Sequence, residues 1–402
     1  MYIQRDMTQE LINNPARIQI LLGPRQCGKS TLFASLYAHK KHHEINFDDL
    51  QLRQLANQNP TLFLDQFETP LLLDEVQYVP NLFPELKKRV DQIKRAGVFH
   101  SKASNKQSTL FRLTGSNQIL MDKNIKESLA GRASYYYLNT LTVHEILQAL
   151  PKTKIKDILF NGGWPELYTT PTLVTTTYLN DYIRSFVEKD IVMHAGIQKL
   201  SEFHTVLGLL SARTGHLIDY SNIANDSGVR SITVKEWVGF LERADLVYLL
   251  KPYFSNLNKR LIKTPKFYFL DTGLATRLQG WSDSTPLFLS PQIGALFETL
   301  VLTEIVKFIR NYNKNWQLFF WRTKEGEEID FLLKTNNDTF VFEAKCAIQG
   351  KPNAISYPPA FKKHFSLKNP FVLVTMGGNK LQLSSQCIML PITELHDYLK
   401  NI

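Results

Sequence analysis

Short apolar segments, each with the length of a buried strand, alternate with helical patterns in the first third of the chain. They are IQILL at 18–22, LLLD at 71–74, FRLTG at 111–115 and the tyrosine-rich run at 133–138. Nearly continuous apolar character over so few residues is typical of strands that are covered on both faces. Their alternation with helices predicts an α/β fold built on a parallel sheet.

The middle of the chain changes to helical spacing followed by two apolar strands. Helical patterns cover 201–215, 219–228 and 231–246, and the strands VYLLKPYF and KFYFLD follow. Asp219 and Ser231 suit the N-cap positions of the second and third helices. Three short helices before a two-stranded wing predict a winged helix-turn-helix, whose third helix would read a nucleic-acid groove. Winged helices also serve as protein-binding modules, so the partner stays open at this point.

The last part of the chain predicts a further α/β domain. A long amphipathic helix leads into the strands WQLFFWRT, EEIDFLLK and TFVFEAKC, with PFVLVTMG and QCIMLP further on. A helix before an antiparallel meander, with a crossover back to it, is an α/β arrangement. Asn336 and Asn337 predict a hairpin with a two-residue loop, because asparagine tolerates the positive φ of a type I′ turn. The register that follows has an apolar face made by the pairs Ile329–Ala344, Phe331–Phe342 and Leu333–Phe340.

The other face of this hairpin sets Asp330 across from Glu343. Two carboxylates with a Cβ separation of about 5 Å repel each other, so the arrangement needs a compensating cation. A divalent metal bound by carboxylate oxygens would supply it. In the alternative, both acids point into water and Lys345, opposite Glu328, forms an ordinary cross-strand ion pair.

Composition indicates a folded protein of several domains. The length of 402 residues predicts roughly two to four domains. A hydrophobic fraction of 44% with 21% charged residues excludes a disordered chain. The net charge of +10 favours a polyanionic partner. Lys251, Lys259 and Arg260 lie near the expected wing and suit phosphate contacts.

Cysteine use and hydropathy indicate the compartment. Cys27, Cys346 and Cys387 are far apart in the sequence and argue against a disulfide framework or a zinc site. The N-terminus has no secretory apolar region, and no apolar run reaches the length of a membrane span. We therefore expect a cytoplasmic protein without a membrane partner.

The segment after the first strand has the spacing of a phosphate-binding P-loop. GPRQCGKST follows a strand and opens a helical pattern, which is the context that this motif requires. The glycines permit a tight loop whose amides cradle phosphate. Lys29 would reach the β- and γ-phosphates of ATP, and Ser30 would bind Mg²⁺. The residues expected at the nucleotide are Gly23, Pro24, Arg25, Gln26, Cys27, Gly28, Lys29, Ser30 and Thr31.

Polar residues at the ends of later strands suit the remaining chemistry. Asp74 can hold the metal and Glu75 can polarise the attacking water, although an acidic pair at a strand end is also common on solvated surfaces. The third strand finishes at Ser116 and Asn117, which suit the positioning of that water. Arg132, just before the fourth strand, either points at a neighbouring subunit's γ-phosphate or is a plain surface arginine.

In their order, the motifs GPRQCGKSTL, INFDD, LLLDEVQYVP, LTGSN, LAGR and GGWPEL resemble the AAA-type bacterial and archaeal ATPases that carry a C-terminal domain of unknown function, DUF4143. The resemblance covers nearly the whole chain. It implies the Walker B position for Asp74 and Glu75, the sensor 1 position for Ser116 or Asn117, and the arginine-finger position for Arg132.

The same resemblance places GGWPEL in a helical lid, where related ATPases contact adenine. It therefore implies a nucleotide contact for Gly163 and Pro165, whereas a simple helix break is the alternative. The division that it implies is a P-loop ATPase core at 1–140, a helical lid at 141–200, a winged-helix domain at 201–285 and a nuclease-like domain at 286–402.

Glu298 on the long helix, Asp330 on one strand and Glu343-x-Lys345 on the next resemble the restriction-endonuclease-like PD-(D/E)xK core. The usual proline before the aspartate is replaced by Ile329. In such a site the acids bind one or two Mg²⁺ ions, and the lysine helps to orient the attacking water. The resemblance implies metal ligands at Asp330 and Glu343, and a catalytic set completed by Glu298 and Lys345.

These features predict a protein that uses ATP and Mg²⁺ and couples its nucleotide state to nucleic-acid binding, with DNA favoured. Phosphodiester cleavage by the C-terminal domain would be its output. The alternative is a nucleotide-dependent switch that binds DNA or a protein partner and does not cleave. If Arg132 points at the γ-phosphate of a neighbouring subunit, the protein also forms a homo-oligomer.

Overall fold

The computed structural model describes residues 1–37, 42–99, 109–115, 129–185, 197, 199–253, 263–347, 358–364 and 368–402. The chain divides into two compact units. We call residues 4–139 with 310–313 the N-terminal unit, and residues 1–3, 140–309 and 314–402 the C-terminal unit. No helix in the described ranges is long and apolar enough to cross a membrane.

A five-stranded sheet forms the centre of the N-terminal unit. Its strands are β1 (Ile18–Leu22), β2 (His43–Asn46), β3 (Leu71–Asp74), β4 (Phe111–Gly115) and β5 (Ala133–Tyr137). Its helices are α1 (Thr8–Asn13), α2 (Lys29–Ser35), α3 (Leu50–Gln58), α4 (Pro60–Asp65) and α5 (Leu82–Phe99). The strand order is β2-β3-β4-β1-β5, and every neighbouring pair is parallel. The predicted α/β fold with a parallel sheet is confirmed.

Both faces of this sheet are covered. Ile18, Ile20 and Leu22 of β1 belong to one hydrophobic cluster, whereas Leu21 packs with Leu32 in another. All residues of β1, β3 and β4 are buried, which explains the nearly continuous apolar runs of β1 and β3, whereas β4 also buries Arg112 and Thr114. Because β1 and β3 lie on either side of β4, the segments that follow them meet at one edge of the sheet.

Residues 140–402 contain most of the helices and two further sheets. The helices are α6 (Val143–Ala149), α7 (Ile155–Asn161), α8 (Pro165–Thr169), α9 (Thr175–Tyr182), α10 (Leu200–Ser211), α11 (Tyr220–Ser227), α12 (Ser231–Arg243), α13 (Thr272–Leu278), α14 (Ser284–Phe288), α15 (Ile293–Asn311), α16 (Pro359–His364) and α17 (Leu395–Lys400). The strands are β6 (His216–Leu217), β7 (Val247–Leu250), β8 (Lys266–Phe269), β9 (Gln317–Arg322), β10 (Glu328–Lys334), β11 (Thr339–Lys345), β12 (Phe371–Thr375), β13 (Leu381–Ser384) and β14 (Cys387–Pro391).

Helices α10, α11 and α12 accompany a small antiparallel sheet of order β6-β8-β7. Asp219 caps α11 as predicted, because its carboxylate accepts the N–H groups of Ser221 and Asn222, each at 3.0 Å. The predicted N-cap at Ser231 is wrong. Ser231 is already helical, and Arg230 precedes it without a side-chain capping bond.

The larger sheet has the order β13-β14-β12-β11-β10-β9. Strands β9, β10 and β11 form the predicted antiparallel meander, and β12 returns parallel to β11. The predicted pairs Phe331–Phe342 and Leu333–Phe340 are confirmed.

The turn of this hairpin differs from the prediction. Neither Asn336 nor Asn337 has a positive φ, so the turn is not type I′. The Thr335 N–H donates to the Asp338 carbonyl at 2.9 Å, and the Thr335 hydroxyl accepts the Asp338 N–H at 3.0 Å. These threonine contacts close the loop while both asparagines keep ordinary φ values.

The ladder between β10 and β11 stops at Phe331–Phe342, one residue short of the predicted pairing of Asp330 with Glu343. The Ala344 N–H donates instead to Asp330 Oδ2 at 2.9 Å, and the Asp330 N–H donates to the Glu343 carboxylate. Side-chain carboxylates therefore replace backbone acceptors here. The two acids remain neighbours, as the register predicted, although the backbone pairing is lost.

Candidate functional site

The loop between β1 and α2 contains three residues in the left-handed region. The φ values are 147° at Gly23, 60° at Gln26 and 93° at Gly28. A Cβ atom on Gly23 would lie 2.0 Å from the Leu138 carbonyl oxygen, so the strand-to-loop transition requires glycine. Turns of this type make concavities lined by backbone N–H groups that bind anions. The loop therefore has the backbone of a phosphate site.

Lys29, the first residue of α2, is buried beside this loop. Its ammonium donates to the carbonyl oxygens of Pro24 at 2.7 Å and Gly23 at 3.1 Å. The positive charge thus lies across the loop at the start of a helix. Anionic phosphate oxygens would be stronger acceptors than these carbonyls, because hydrogen bonds between charged groups are stronger than neutral ones.

Ser30 and Asp74 form the centre of the site at the sheet edge. The Ser30 hydroxyl donates to Asp74 Oδ2 at 2.8 Å, and the Thr114 hydroxyl donates to Asp74 Oδ1. A hydroxyl beside a carboxylate is a donor set that suits Mg²⁺, which prefers oxygen ligands and keeps several waters. The residues present therefore fit the Mg²⁺-nucleotide that the P-loop motif implies.

The sequence did not single out Thr114, although it is a polar residue near the end of an apolar strand. Its position on β4, between β1 and β3, is what brings it to Asp74. Ser116 and Asn117, the predicted sensor residues, lie outside the described residues.

Glu75 follows β3 directly and has an unusual backbone. Its φ of 57° is in the left-handed region, which is uncommon for a residue other than glycine and is found often at active sites. Its carboxylate accepts a hydrogen bond from the Gln77 side-chain amide. The acid is thus held in place at the same strand end as Asp74.

Arg5 supports the P-loop from outside the motif. This buried side chain donates to the carbonyl oxygens of Cys27 at 2.8 Å and Asn139 at 2.7 Å. It therefore joins the loop to the chain that leaves β5. Of the other residues predicted at the nucleotide, Arg25 is half-buried and Thr31 is exposed.

Arg132 is paired within its own unit. Its guanidinium donates to both carboxylate oxygens of Asp91 on α5, at 2.9 and 3.0 Å. The hydrogen bond with Asp91 raises the pKa of Arg132, and it lowers the pKa of the Asp91 carboxyl. The structure thus describes Arg132 as one half of a surface ion pair.

The GGWPEL segment makes a tight joint in the C-terminal unit. The Gly163 N–H donates to Asp271 Oδ2 at 2.9 Å, and its carbonyl accepts the Leu141 N–H at 2.7 Å. A Cβ on Gly163 would lie 2.4 Å from the Leu141 carbonyl oxygen. Pro165 opens α8 after the buried Trp164. These contacts give the segment a packing role, and the nucleotide contacts of Gly163 and Pro165 stay predictions.

The acids of the C-terminal unit surround a lysine that the sequence did not single out. Lys266, the first residue of β8, donates to Glu298 Oε1 at 2.8 Å and pairs with Glu328. Its ammonium is also 3.8 Å from Asp330 Oδ1. Tyr268, on the same face of β8, donates its hydroxyl to Glu298 Oε1 at 2.5 Å. We call Glu298, Glu328, Asp330 and Glu343 the acid cluster.

Lys345 binds within its own strand. The Lys345 ammonium is 3.1 Å from Glu343 Oε1. Glu328 forms ion pairs with two other residues, Lys266 and Arg322, and its carboxylate is 3.0 Å from the Arg322 guanidinium. The alternative cross-strand pair between Lys345 and Glu328 is therefore wrong. Lys266 and Arg322 have taken the place of Lys345 at Glu328.

The pKa values follow from this burial and charge. Burial raises the pKa of Asp330 well above its usual range, and the charges of Glu298 and Glu343 raise it further. Burial also raises the pKa of Glu343. For Lys266, burial lowers the pKa, but the attraction of the acids outweighs it and the pKa is raised. Lys266 therefore stays charged.

The acid cluster does not fit a divalent metal. The Lys266 ammonium is 2.8 Å from Glu298 Oε1 and 3.8 Å from Asp330 Oδ1, so a cation of the chain already contacts the oxygens that would bind the metal. The ammonium of Lys266 lies among the carboxylates, and a metal beside it would be repelled. The metal ligands expected at Asp330 and Glu343 thus share their site with a cation from the chain itself.

A separate cavity of about 570 Å³ lies between the small sheet and the larger one in the C-terminal unit. Its lining includes the lysines Lys251, Lys263 and Lys334 and the rings of Tyr253 and Phe319. Among the described residues, no carboxylate lies within 4.0 Å of these three ammoniums, and the Lys334 ammonium is 5.5 Å from the Tyr253 ring centre. We call this the lysine pocket. Lys259 and Arg260 of the expected wing lie outside the described residues.

Comparison with protein families finds three adjoining matches. Residues 15–147 match the model of an AAA domain. Residues 152–285 match a domain of unknown function, DUF8612, and residues 293–395 match a domain of unknown function, DUF4143.

Two relatives bear the name of uncharacterized proteins. A protein of Mycobacterium tuberculosis is 28% identical over 334 residues, which cover 82% of this chain and 70% of that one. A protein of Methanocaldococcus jannaschii is 23% identical over 367 residues, covering 82% and 76%. Among solved structures, the Walker-type ATPase of Pyrococcus abyssi aligns with a TM-score of 0.37 and 14% identity over 68% of this chain and 93% of that one. The chain thus contains a region similar to an AAA domain, in which the P-loop motif lies, and a C-terminal region similar to DUF4143.

Proposed function

We propose that the N-terminal unit hydrolyses ATP with the residues that meet at the edge of its parallel sheet. The observation that carries this proposal is the hydrogen-bonded set of Ser30, Asp74 and Thr114 beside Lys29. Purified protein is expected to hydrolyse ATP only when Mg²⁺ is present. The Lys29→Ala variant, purified in the same way, controls for contaminating ATPases.

Each residue has a separate task in this proposal. Lys29 turns its ammonium from the loop carbonyls to the β- and γ-phosphates. Ser30 and Asp74 hold Mg²⁺, which neutralises charge on the phosphates when it is bound. Glu75 orients the attacking water and accepts its proton. Thr114 fixes the Asp74 carboxylate in the orientation that this requires.

We also propose that Arg132 acts on the nucleotide of a neighbouring copy in a homo-oligomer. The Arg132→Ala variant is then expected to keep ATP binding and to have a kcat lower by about 100-fold. The reason is that the variant lacks one hydrogen-bond donor to the charge that develops on the phosphate in the transition state. Steady-state kinetics and nucleotide titration measure the two effects.

Asp91→Asn is the matched control, because it breaks the same ion pair from the other side. Exposed ion pairs contribute little to stability, so this variant is expected to keep its hydrolysis rate. Equal small losses in both variants would reduce Arg132 to a structural partner of Asp91.

The lysine pocket favours a second activity, the binding of a nucleic-acid strand by the C-terminal unit. Three ammoniums without a carboxylate within 4.0 Å in the described residues attract phosphates, and half-buried aromatic rings at a pocket wall offer a surface on which a base can stack. A cavity of about 570 Å³ is in the size range of small-ligand pockets. The proposal assigns the phosphates to Lys251, Lys263 and Lys334 and a base to Tyr253.

Tyr253→Ala is expected to weaken binding of a single-stranded oligonucleotide by about tenfold or more, since base stacking contributes about 1–3 kcal/mol. Replacing Lys251 and Lys334 by alanine is expected to lower the slope of log Kobs against log salt by about 0.7 for each lysine. Fluorescence anisotropy at several salt concentrations measures both effects.

The oligonucleotide experiment uses the Lys29→Ala chain throughout, so that the P-loop does not contribute. Free ATP in the same assay distinguishes a mononucleotide site from a strand site. Lys380→Ala, which removes an exposed lysine away from the pocket, is the matched control. A slope that falls equally in the control and the pocket variants would contradict a site at the lysine pocket.

A further inference from the structure

The acid cluster receives its cation from another part of the chain. Lys266 lies in the region that matches DUF8612, whereas Glu298, Glu328 and Asp330 lie in the region that matches DUF4143. The ammonium contacts Glu298 Oε1 at 2.8 Å and pairs with Glu328. One lysine side chain therefore joins acids on α15 and β10.

Lys266 is held firmly at this position. In the backbone ladders, Lys266 lies opposite Leu217 of β6 on one side and opposite Leu250 of β7 on the other. Strand β8 is therefore the central strand of the small sheet. Only 3% of its side chain is exposed. A lysine that starts from a central strand and is buried to its end is held beside the acids by the packing around it.

A second group on β8 points to the same carboxylate. Tyr268 follows Lys266 by one strand period, so its side chain lies on the same face. Its hydroxyl donates to Glu298 Oε1, the oxygen that Lys266 also contacts. Glu298 is thus satisfied by two donors from β8, which leaves that oxygen little capacity for a metal.

The remaining acids also have cations or donors from the chain. Glu328 has Arg322 at 3.0 Å, and Glu343 has Lys345 at 3.1 Å. Asp330 accepts the Ala344 N–H at 2.9 Å. Three cations, Lys266, Arg322 and Lys345, thus face four carboxylates, so at most one negative charge of the cluster has no counter-charge from the chain.

We propose that Lys266 is the resident cation of the acid cluster, and that the cluster binds a divalent metal only when this ammonium has been removed. The C-terminal domain then keeps the acid arrangement that resembles a PD-(D/E)xK core, but uses it to attach β8 to α15 and β10. The proposal is independent of ATP hydrolysis and of the lysine pocket.

The test measures Mn²⁺ binding without nucleotide, in the Lys29→Ala chain so that the P-loop makes no contribution. Lys266→Met keeps the length of the side chain and removes its charge. We expect this variant to gain one Mn²⁺ site, detected by calorimetry and by the electron paramagnetic resonance of bound Mn²⁺. Saturating Mn²⁺ should raise its Tm by about 5 °C or more, because a ligand at 100 times its Kd stabilises by about 2.7 kcal/mol.

The parent chain, with Lys266 in place, is expected to show neither the Mn²⁺ site nor the change in Tm. Lys380→Met is the matched control, since it makes the same change at an exposed lysine outside the acid cluster, and it should behave as the parent does. Adding Glu343→Gln to Lys266→Met should abolish the new site, which would place the ion at the acid cluster.

Three results would overturn the proposal. The first is Mn²⁺ binding by the parent chain that Glu343→Gln removes, and the second is a folded Lys266→Met variant that gains no Mn²⁺ site. The third is Mg²⁺-dependent cleavage of DNA or RNA by the wild type that Glu343→Ala abolishes. If Lys266→Met does not fold, Lys266→Met with Glu298→Gln removes one charge of each sign, and the same gain of Mn²⁺ binding is required of it.

Discussion

Replacing Lys29 by alanine is expected to weaken ATP binding by about 1000-fold. The ammonium would make at least two charge-assisted hydrogen bonds to phosphate oxygens, each contributing about 1.5–3 kcal/mol, so a loss of about 4 kcal/mol follows. Without nucleotide the Lys29 ammonium donates to the carbonyl oxygens of Gly23 and Pro24, so it already lies at the loop that would hold the phosphates. Equilibrium titration with a fluorescent ATP analogue measures the change in Kd.

The loss of affinity must be separated from a loss of fold. Lys29 is buried and binds two loop carbonyls, so its removal affects the loop itself. The Tm without nucleotide is therefore measured in the same preparations. Lys88→Ala, which removes an exposed lysine of α5, is the matched control and should leave Kd unchanged. An affinity within a few-fold of the wild type in a folded Lys29→Ala protein would show that the loop is not the nucleotide site.

The P-loop and the parallel sheet were predictable from the sequence because their signals are local. The loop has glycine at residues 23 and 28 because the backbone there has positive φ values, which side chains with a Cβ rarely allow. Strands β1 and β3 are nearly continuous apolar runs because both of their faces are covered. Such patterns need no knowledge of which elements meet in space.

Thr114 and Arg5 could not be assigned in the same way. Thr114 reaches Asp74 because β4 lies beside β3 in the sheet, and strand order is a property of the whole fold. Arg5 reaches the carbonyls of Cys27 and Asn139 from a segment without any motif. Both contacts join residues that are far apart in the sequence, and single residues of these types carry no periodic signal.

The acid cluster shows the same limit more sharply. Hairpin register predicted that Asp330 and Glu343 would be neighbours, because the two strands are joined by a short loop. It predicted a need for a compensating cation as well. The identity of that cation depended on Lys266, which lies on another sheet and looks like an ordinary strand residue in the sequence.

The segment GGWPEL illustrates how a motif can serve packing. Glycine is required at residues 162 and 163 because a Cβ would lie 2.0 Å from Asp271 Oδ1 and 2.4 Å from the Leu141 carbonyl oxygen, respectively. The sequence alone does not distinguish such close approach within the protein from close approach to a ligand. Both make the same demand for a missing side chain.

The Glu75→Gln variant is expected to bind ATP like the wild type and to hydrolyse it about 1000 times more slowly, because a positioned base contributes about 100- to 10,000-fold. Glutamine keeps the length of the side chain and an oxygen that can accept the Gln77 amide hydrogen, so the conformation after β3 should persist. It cannot accept the proton of the attacking water. Single-turnover hydrolysis measures the chemical step, and nucleotide titration measures binding.

Glu44→Gln is the matched control for this variant, since it makes the same change at an exposed acid on β2 and should keep both rates. A Glu75→Gln protein that hydrolyses ATP at the wild-type rate would remove Glu75 from the chemistry. A protein that instead loses binding together with hydrolysis would make Glu75 a structural residue, whose left-handed backbone and contact with Gln77 shape the strand end. Only intact binding with slow hydrolysis assigns to Glu75 the proton of the water, and with it the catalytic step of the N-terminal unit.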